Sequence, residues 1–252
     1  MLKYHCRLRN LINLKTGFYK NLDTNFAQAC ELSEKELSHE ELVALLKSGN
    51  IPEKQIAALK FDCINTQEDA NLLLDNLTGC DGKIREAVAM RVNRFFIETP
   101  ETRQFFITEN AANIFADGTI DINSNICRLV VDSVALIKYD KGFSKVYIKR
   151  ILGFIQETFV ALDNFIFRDK KYVINKQLFK LYWSLEALKH FTMDVEKETL
   201  LQILMRVCKE KEYTVREKAA QIAVITEDSL FNNVKDILKN DENYYVRNVF
   251  KS

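Results

Sequence analysis

Apolar residues recur every three or four positions along most of this chain, and short polar breaks separate the runs. That period is the helical one, and each run predicts one amphipathic helix. Leu42, Leu45 and Leu46 form the first clear face. Ser38 with Glu41 three residues later predicts a capping box at its start, and Gly49 its end. Pro52 suits the first turn of the next helix, which carries Ile56, Leu59, Lys60 and Cys63. A short helix closed by Gly79 follows, then a stripe of Ile84, Val88, Val92 and Phe95 or Phe96. Pro100 opens a run that the pattern carries through ETRQFFITENAANIF to a stop at Asp117 and Gly118. Ile126, Leu129, Val130, Ser133, Val134 and Ile137 make the next stripe. The longest run, Gly142 to Phe167, has room for a kink at Gly153. Val173–Phe191, Val195–Cys208, Thr214–Ile225, Leu230–Leu238 and Tyr244–Phe250 complete the set. Strand alternation is sustained nowhere. The pattern therefore predicts an all-α chain of roughly eleven to thirteen helices joined by short loops.

A local unit repeats within this series. It consists of a leucine-rich helix, a polar turn, and a helix that opens with an apolar residue beside a basic one. The basic residues are Lys54, Arg85, Arg216 and Arg247, and the steps 54 to 85 and 216 to 247 are both 31 residues. Small residues follow at similar offsets, namely Ala57 and Ala58, Ala87 and Ala89, and Ala219 and Ala220. A fixed period of this length is the mark of stacked helical units, each unable to bury its apolar face alone. Asp81 and Asp241 stand in the turns before Arg85 and Arg247, and Arg128 is a candidate for a degenerate copy. An arginine in a helix's first turn opposes the dipole there. It is expected to reach an acidic or carbonyl group of its own turn or of the preceding unit, as a structural pair.

The stretches CDGKIREAVA, KEYTVREKAA and NDENYYVRNV resemble the HEAT-repeat family, whose units pair an inter-helix aspartate with a Val-Arg or similar opening. The first unit has Lys54 and no turn aspartate, and KEYTVREKAA also lacks the aspartate. The resemblance covers about residues 38–97 and 195–250, with degenerate or enlarged units over 98–192. It implies a right-handed α-solenoid of antiparallel helix pairs, a single domain over 1–252, whose concave second-helix surface binds a protein partner. Two enzyme groups with HEAT-like folds give the alternatives: small alkylpurine DNA glycosylases, acting through a basic surface, and tetrapyrrole lyases.

Composition narrows the choice. The chain has 252 residues, a net charge of +1, seven Gly and two Pro. So few breakers fit helices joined by tight turns and argue against glycine-loop enzymes. The start shows no signal-peptide pattern and no window is apolar enough to span a bilayer, so a cytoplasmic protein without membrane contact is expected. Six cysteines form no CxxC pair, and His5, His39 and His190 are isolated in sequence. Cys63, Cys127 and Cys208 are read as core residues, and neither a metal nor another cofactor is expected.

The near-zero charge hides local bias. Glu31 to Glu41 is acidic. Lys138, Lys141, Lys145, Lys149 and Arg150 stand against one acid, Asp140, and Arg168, Lys170, Lys171, Lys176 and Lys180 against Asp169. Together with Trp183, the sole tryptophan, these basic residues are the candidate patch for a protein or, as the alternative, a nucleic-acid backbone. No nucleophile motif, phosphate loop or catalytic residue is recognisable.

Overall fold

The computed structural model describes residues 24–164 and 171–251. His5, Cys6, Phe165, Arg168, Asp169 and Lys170 lie outside the described residues, and of Lys171 only the backbone is described. The described residues are helical and contain no strand. They form thirteen α-helices. The N-terminal half holds α1 (Thr24–Glu34), α2 (His39–Ser48), α3 (Ile51–Lys60), α4 (Gln67–Leu77), α5 (Gly82–Glu98), α6 (Glu109–Thr119) and α7 (Ser124–Ala135). Then come α8 (Lys141–Asp163), α9 (Lys171–Leu188), α10 (Lys197–Val207), α11 (Tyr213–Ile225), α12 (Asn232–Lys239) and α13 (Tyr244–Asn248).

The helix starts follow from local chemistry. Ser38 accepts the Glu41 N–H while the Glu41 carboxylate accepts the Ser38 N–H, so the capping box forms. Asn50 with Glu53 and Thr66 with Asp69 repeat that device at α3 and α4. Pro52 sits in the first turn of α3.

Contacts arrange the helices in two rows. Consecutive helices pair: α2 with α3, α4 with α5, α6 with α7, α8 with α9, α10 with α11, and α12 with α13. First members also touch across pairs, α2 on α4, α4 on α6, α6 on α8 and α10 on α12. Second members do the same without interruption from α3 on α5 through α5–α7, α7–α9 and α9–α11 to α11 on α13, and α1 packs on α3. Between α8 and α10 a 3-10 turn, Lys189–Asp194, intervenes and touches α8, α9 and α11. The small residues of the second helices are buried: Ala57, Ala58, Ala87, Ala89, Ala219 and Ala220.

Two sequence expectations change in the centre. The run from Pro100 is not one helix. A 3-10 turn covers Pro100–Phe106, and α6 starts afresh behind the Thr108 cap. Phe105 and Phe106 satisfied the helical period without belonging to the helix. Nor do Asp117 and Gly118 stop α6, which ends at Thr119. A Cβ at position 118 would stand 3.1 Å from Val130 Cγ2, so this glycine lets α6 approach α7 closely. The long run is a single helix, α8, continuous through Gly153 to Asp163.

A column of aromatic rings fills the interior here. Phe96, Phe106, Phe115, Phe143, Tyr147 and Phe191 are buried, and neighbouring centroids are 5.0–6.1 Å apart. The Tyr147 hydroxyl lies 2.7 Å from Thr119 Oγ1, which also donates to the Phe115 carbonyl at 2.9 Å. Tyr147→Phe removes one partner and leaves Thr119 bonded. Chemical denaturation is expected to show a loss of about 1 kcal/mol, the ordinary net worth of one buried hydrogen bond.

Candidate functional site

The arginines of the second helices hold their own turns, and Arg85 and Arg216 also join neighbouring units. Each stands four residues after its helix's N-cap: Asp81 for Arg85, Glu212 for Arg216 and Asn243 for Arg247. Arg216 Nε donates to Asp241 Oδ2 at 2.7 Å and Nη2 to Oδ1 at 3.0 Å, while Nη1 donates to the carbonyls of Glu210 and Lys211 at 2.7 and 2.9 Å. Arg85 repeats this set with Asp121, at 2.7 and 3.3 Å, and with the carbonyls of Gly79 and Cys80. The carbonyls belong to the arginine's own turn, as expected. The carboxylate comes from the following unit rather than its own or the preceding one. Asp81 is not a partner of Arg85; it caps α5 by accepting from Lys83 and Ile84 N–H. Arg247 donates to the Asp241 and Glu242 carbonyls, and Lys54 to Asn76 Oδ1 at 3.3 Å.

Arg128 does not occupy the equivalent place in α7. Counting four from the Asn123 cap reaches Cys127, buried, whose Sγ donates to the Asp121 carbonyl at 3.0 Å. Arg128 reaches only Asn125. The shared signature Asp-x-Asn, at Asp121–Asn123 and Asp241–Asn243, was the signal that could have set this register. In both copies the aspartate Oδ1 also accepts the asparagine N–H at 2.8 Å.

Three of the basic residues share one groove. Lys141, Lys145 and Lys149 follow one another by four and line an open groove of about 430 Å³ along α8, with Ser144, Ile148 and Asp194. Lys141 is paired there with Asp194. Arg150 pairs with Asp117 at 3.2 Å and covers the Phe154 ring, and Lys138 lies over Tyr139. Among the described side chains, none from α9 lines this groove. Lys176 is exposed and Lys180 half-buried on α9.

Trp183 belongs to a second groove, about 560 Å³, across the second-helix row. Leu178, Phe179, Tyr182 and Trp183 of α9 form its apolar wall. Ser124 at the start of α7 and Glu212 and Thr214 at the start of α11 border it. The Trp183 ring meets Tyr182 at 5.3 Å and Phe179 at 6.3 Å, both edge-on. Beneath, Lys218 of α11 lies over the Tyr182 ring and 2.6 Å from Glu186. Burial works to raise the Glu186 carboxyl, but hydrogen bonds and charge from Lys189 and Lys218 outweigh it and hold its pKa low. Tyr182 is thereby fixed from below. Tyr213, between two groove residues, stacks on Tyr245 at 5.9 Å, so aromatic surface continues toward the C-terminus.

One grouping was missed entirely. His39, read as isolated, stands beside Asp62, Asp69 and Cys63, and Cys63 is half-buried rather than a core residue.

No family model matches this chain, and no curated protein matches it. Among the described residues, no helix is long and apolar enough to cross a membrane. Two solved structures are similar in shape, both crystal structures of engineered proteins from the Northeast Structural Genomics Consortium. One has a TM-score of 0.52 at 14% identity, covering 86% of this chain and 96% of its own. The other has a TM-score of 0.47 at 13% identity, covering 86% and 94%. The first likeness places this chain among all-helical folds.

Proposed function

We propose that this chain is a HEAT-like α-solenoid acting as a non-catalytic scaffold, with the groove at Trp183 as the anchor point for a protein partner. The open aromatic groove across α7, α9 and α11 is the observation that carries this reading. Large apolar rings held half-exposed in a preformed cleft with a polar rim are the usual make-up of a binding hot spot. The uninterrupted row of second helices supports the solenoid, since it offers one extended surface on which such a cleft is a natural centre. The partner segment this cleft suits is a short peptide with a bulky apolar side chain and a donor for Glu212.

Panning a displayed peptide library against the full chain tests the reading. Peptides with an aromatic or large aliphatic anchor are expected. Truncating a hot-spot ring costs at least about 2 kcal/mol, so Trp183→Ala is expected to weaken them roughly 30-fold or more. Asn175, an exposed residue of α9, also lines the groove, so Asn175→Arg, which blocks it without touching the core, should do the same. Peptides indifferent to both changes would refute the groove. The alternative is a nucleic-acid backbone on α8, favoured by the Lys141, Lys145 and Lys149 row. It requires DNA or RNA binding that collapses with salt and with Lys145→Glu. The Asp194 pairing of Lys141 weighs against it.

A further inference from the structure

We propose that His39, Asp62 and Cys63 form a zinc site with an open fourth position, and that Asp69 orients its histidine. His39 opens α2, and Asp62 and Cys63 follow the end of α3, so one helix pair brings them to the same edge. Their donor atoms form a compact triangle. Cys63 Sγ is 3.6 Å from His39 Nδ1 and 3.6 Å from Asp62 Oδ1, and the two latter atoms are 3.0 Å apart. Zinc bonds of about 2.3 Å to sulfur and about 2.0–2.1 Å to nitrogen or oxygen, at a tetrahedral angle, give edges of about 3.6, 3.5 and 3.3 Å. The triangle therefore needs only a few tenths of an ångström on one edge to hold the ion.

The surroundings match those of a metal centre as well. The other ring nitrogen of His39, Nε2, is 3.2 Å from Asp69 Oδ1. Asp69 is 7% exposed, and its Oδ2 accepts the N–H groups of Asn65 and Thr66 at 3.0 Å each. A buried, fixed carboxylate on the far nitrogen sets the tautomer that leaves Nδ1 free to bind a metal. Asn65 Nδ2 donates to Cys63 Sγ at 3.0 Å, a bond that favours a thiolate there. Arg91 of α5 donates to the Asp62 carbonyl at 3.4 Å and holds the loop, and the His39 ring leans on Phe61 at 5.1 Å. Burial first, then the Asp62 charge, push the Cys63 thiol up. A bound cation reverses that field and ionises the thiol on binding.

The mixed donor set selects the ion. One thiolate, one imidazole and one carboxylate suit Zn²⁺, whereas Mg²⁺ and Ca²⁺ want oxygen alone. Asp62 is 57% exposed at its side chain, so the fourth position faces solvent and can take water or an outside ligand. Without a metal, the same geometry would serve a protonated His39 bridging two carboxylates. In that arrangement the Cys63 N–H and thiol still donate to Asp62 Oδ1, but the Asn65 contact to the sulfur is left without a part.

The test is titration of the metal-free full chain with Zn²⁺ alone against a chromophoric chelator, with Co²⁺ as spectroscopic probe. One ion per chain is expected, with a thiolate-to-cobalt absorption band and a raised melting temperature. Cys63→Ser should abolish the band, and His39→Ala should remove tight binding. Asp69→Asn should weaken binding about 10–100-fold at unchanged stoichiometry. Cys80→Ser and Cys208→Ser should change nothing. Circular dichroism of each variant separates lost binding from lost folding, and the conservative Cys63→Ser keeps the test decisive if His39→Ala unfolds. Absence of tight Zn²⁺ binding by the wild type, or binding that persists unaltered in Cys63→Ser, would overturn the site.

Discussion

Phe115→Ala lowers the unfolding free energy by about 3–5 kcal/mol, the cost of deleting a fully buried aromatic ring. The ring is wholly buried and lies about 6 Å from each of Phe96, Phe106 and Phe143. Those partners come from α5, the Pro100–Phe106 turn and α8. One substitution therefore opens a cavity shared by three elements in the stretch where the sequence repeat fades. The rings around it cannot all move in, because each is already packed against another: Phe96 on Phe106, and Phe143 on Tyr147. At about 2–4 °C per kcal/mol for a chain of this size, the melting midpoint falls by roughly 6–20 °C. Phe115→Leu, which keeps most of the volume, should fall much less. Urea denaturation of both variants checks this, and equal midpoints for Ala and Leu would show that the column is not a tightly packed joint.

What the amino-acid order revealed was local. The Ser38–Glu41 box, the Pro52 start and most of the apolar stripes are read within four residues of one another and are present in the structure, although Leu59 is exposed and Cys63 and Ile137 lie past the ends of their helices. The 3-10 turn before α6 escaped because Phe105 and Phe106 keep the helical spacing while the chain tightens. The partner of Arg85 escaped because it lies 36 residues ahead, at Asp121, in a unit whose arginine position is filled by Cys127. Aligning the helices on their N-caps rather than on their arginines would have exposed both facts. The His39 grouping was legible only through topology. When two helices form a returning pair, the start of the first and the end of the second meet, which places His39 beside Asp62 and Cys63 although 23 and 24 residues separate them.

The Asp-x-Asn turns make the arginine clamp the other large lever on stability. Arg216→Ala is expected to cost about 3–5 kcal/mol, because it strands a buried carboxylate rather than merely removing a bond. Arg216 is 5% exposed and the Asp241 side chain 8%, so the carboxylate left behind is largely shielded from water. Arg216→Lys should recover little, since an ammonium cannot span both carboxylate oxygens and two carbonyls with a planar fork. The damage should concentrate at the C-terminal end, where α13 packs on α11 and Asp241 ties the last turn to it. Hydrogen exchange is expected to quicken in α12 and α13 before it does in α5. The effect has a pH signature. Burial pushes the Asp241 carboxyl up, but the Arg216 hydrogen bond, the Asn243 N–H and the nearby guanidinium charges outweigh it, so its folded pKa lies below the usual carboxylate value. A depressed carboxylate adds stability that is complete above its unfolded pKa, about 3.9, and disappears as pH falls through the folded value. The stability gap between wild type and Arg216→Ala should therefore be full at neutral pH and narrow below about pH 4. A gap of constant size down to acid unfolding would mean that Arg216 stabilises the chain by its stem packing and carbonyl bonds, with Asp241 a bystander.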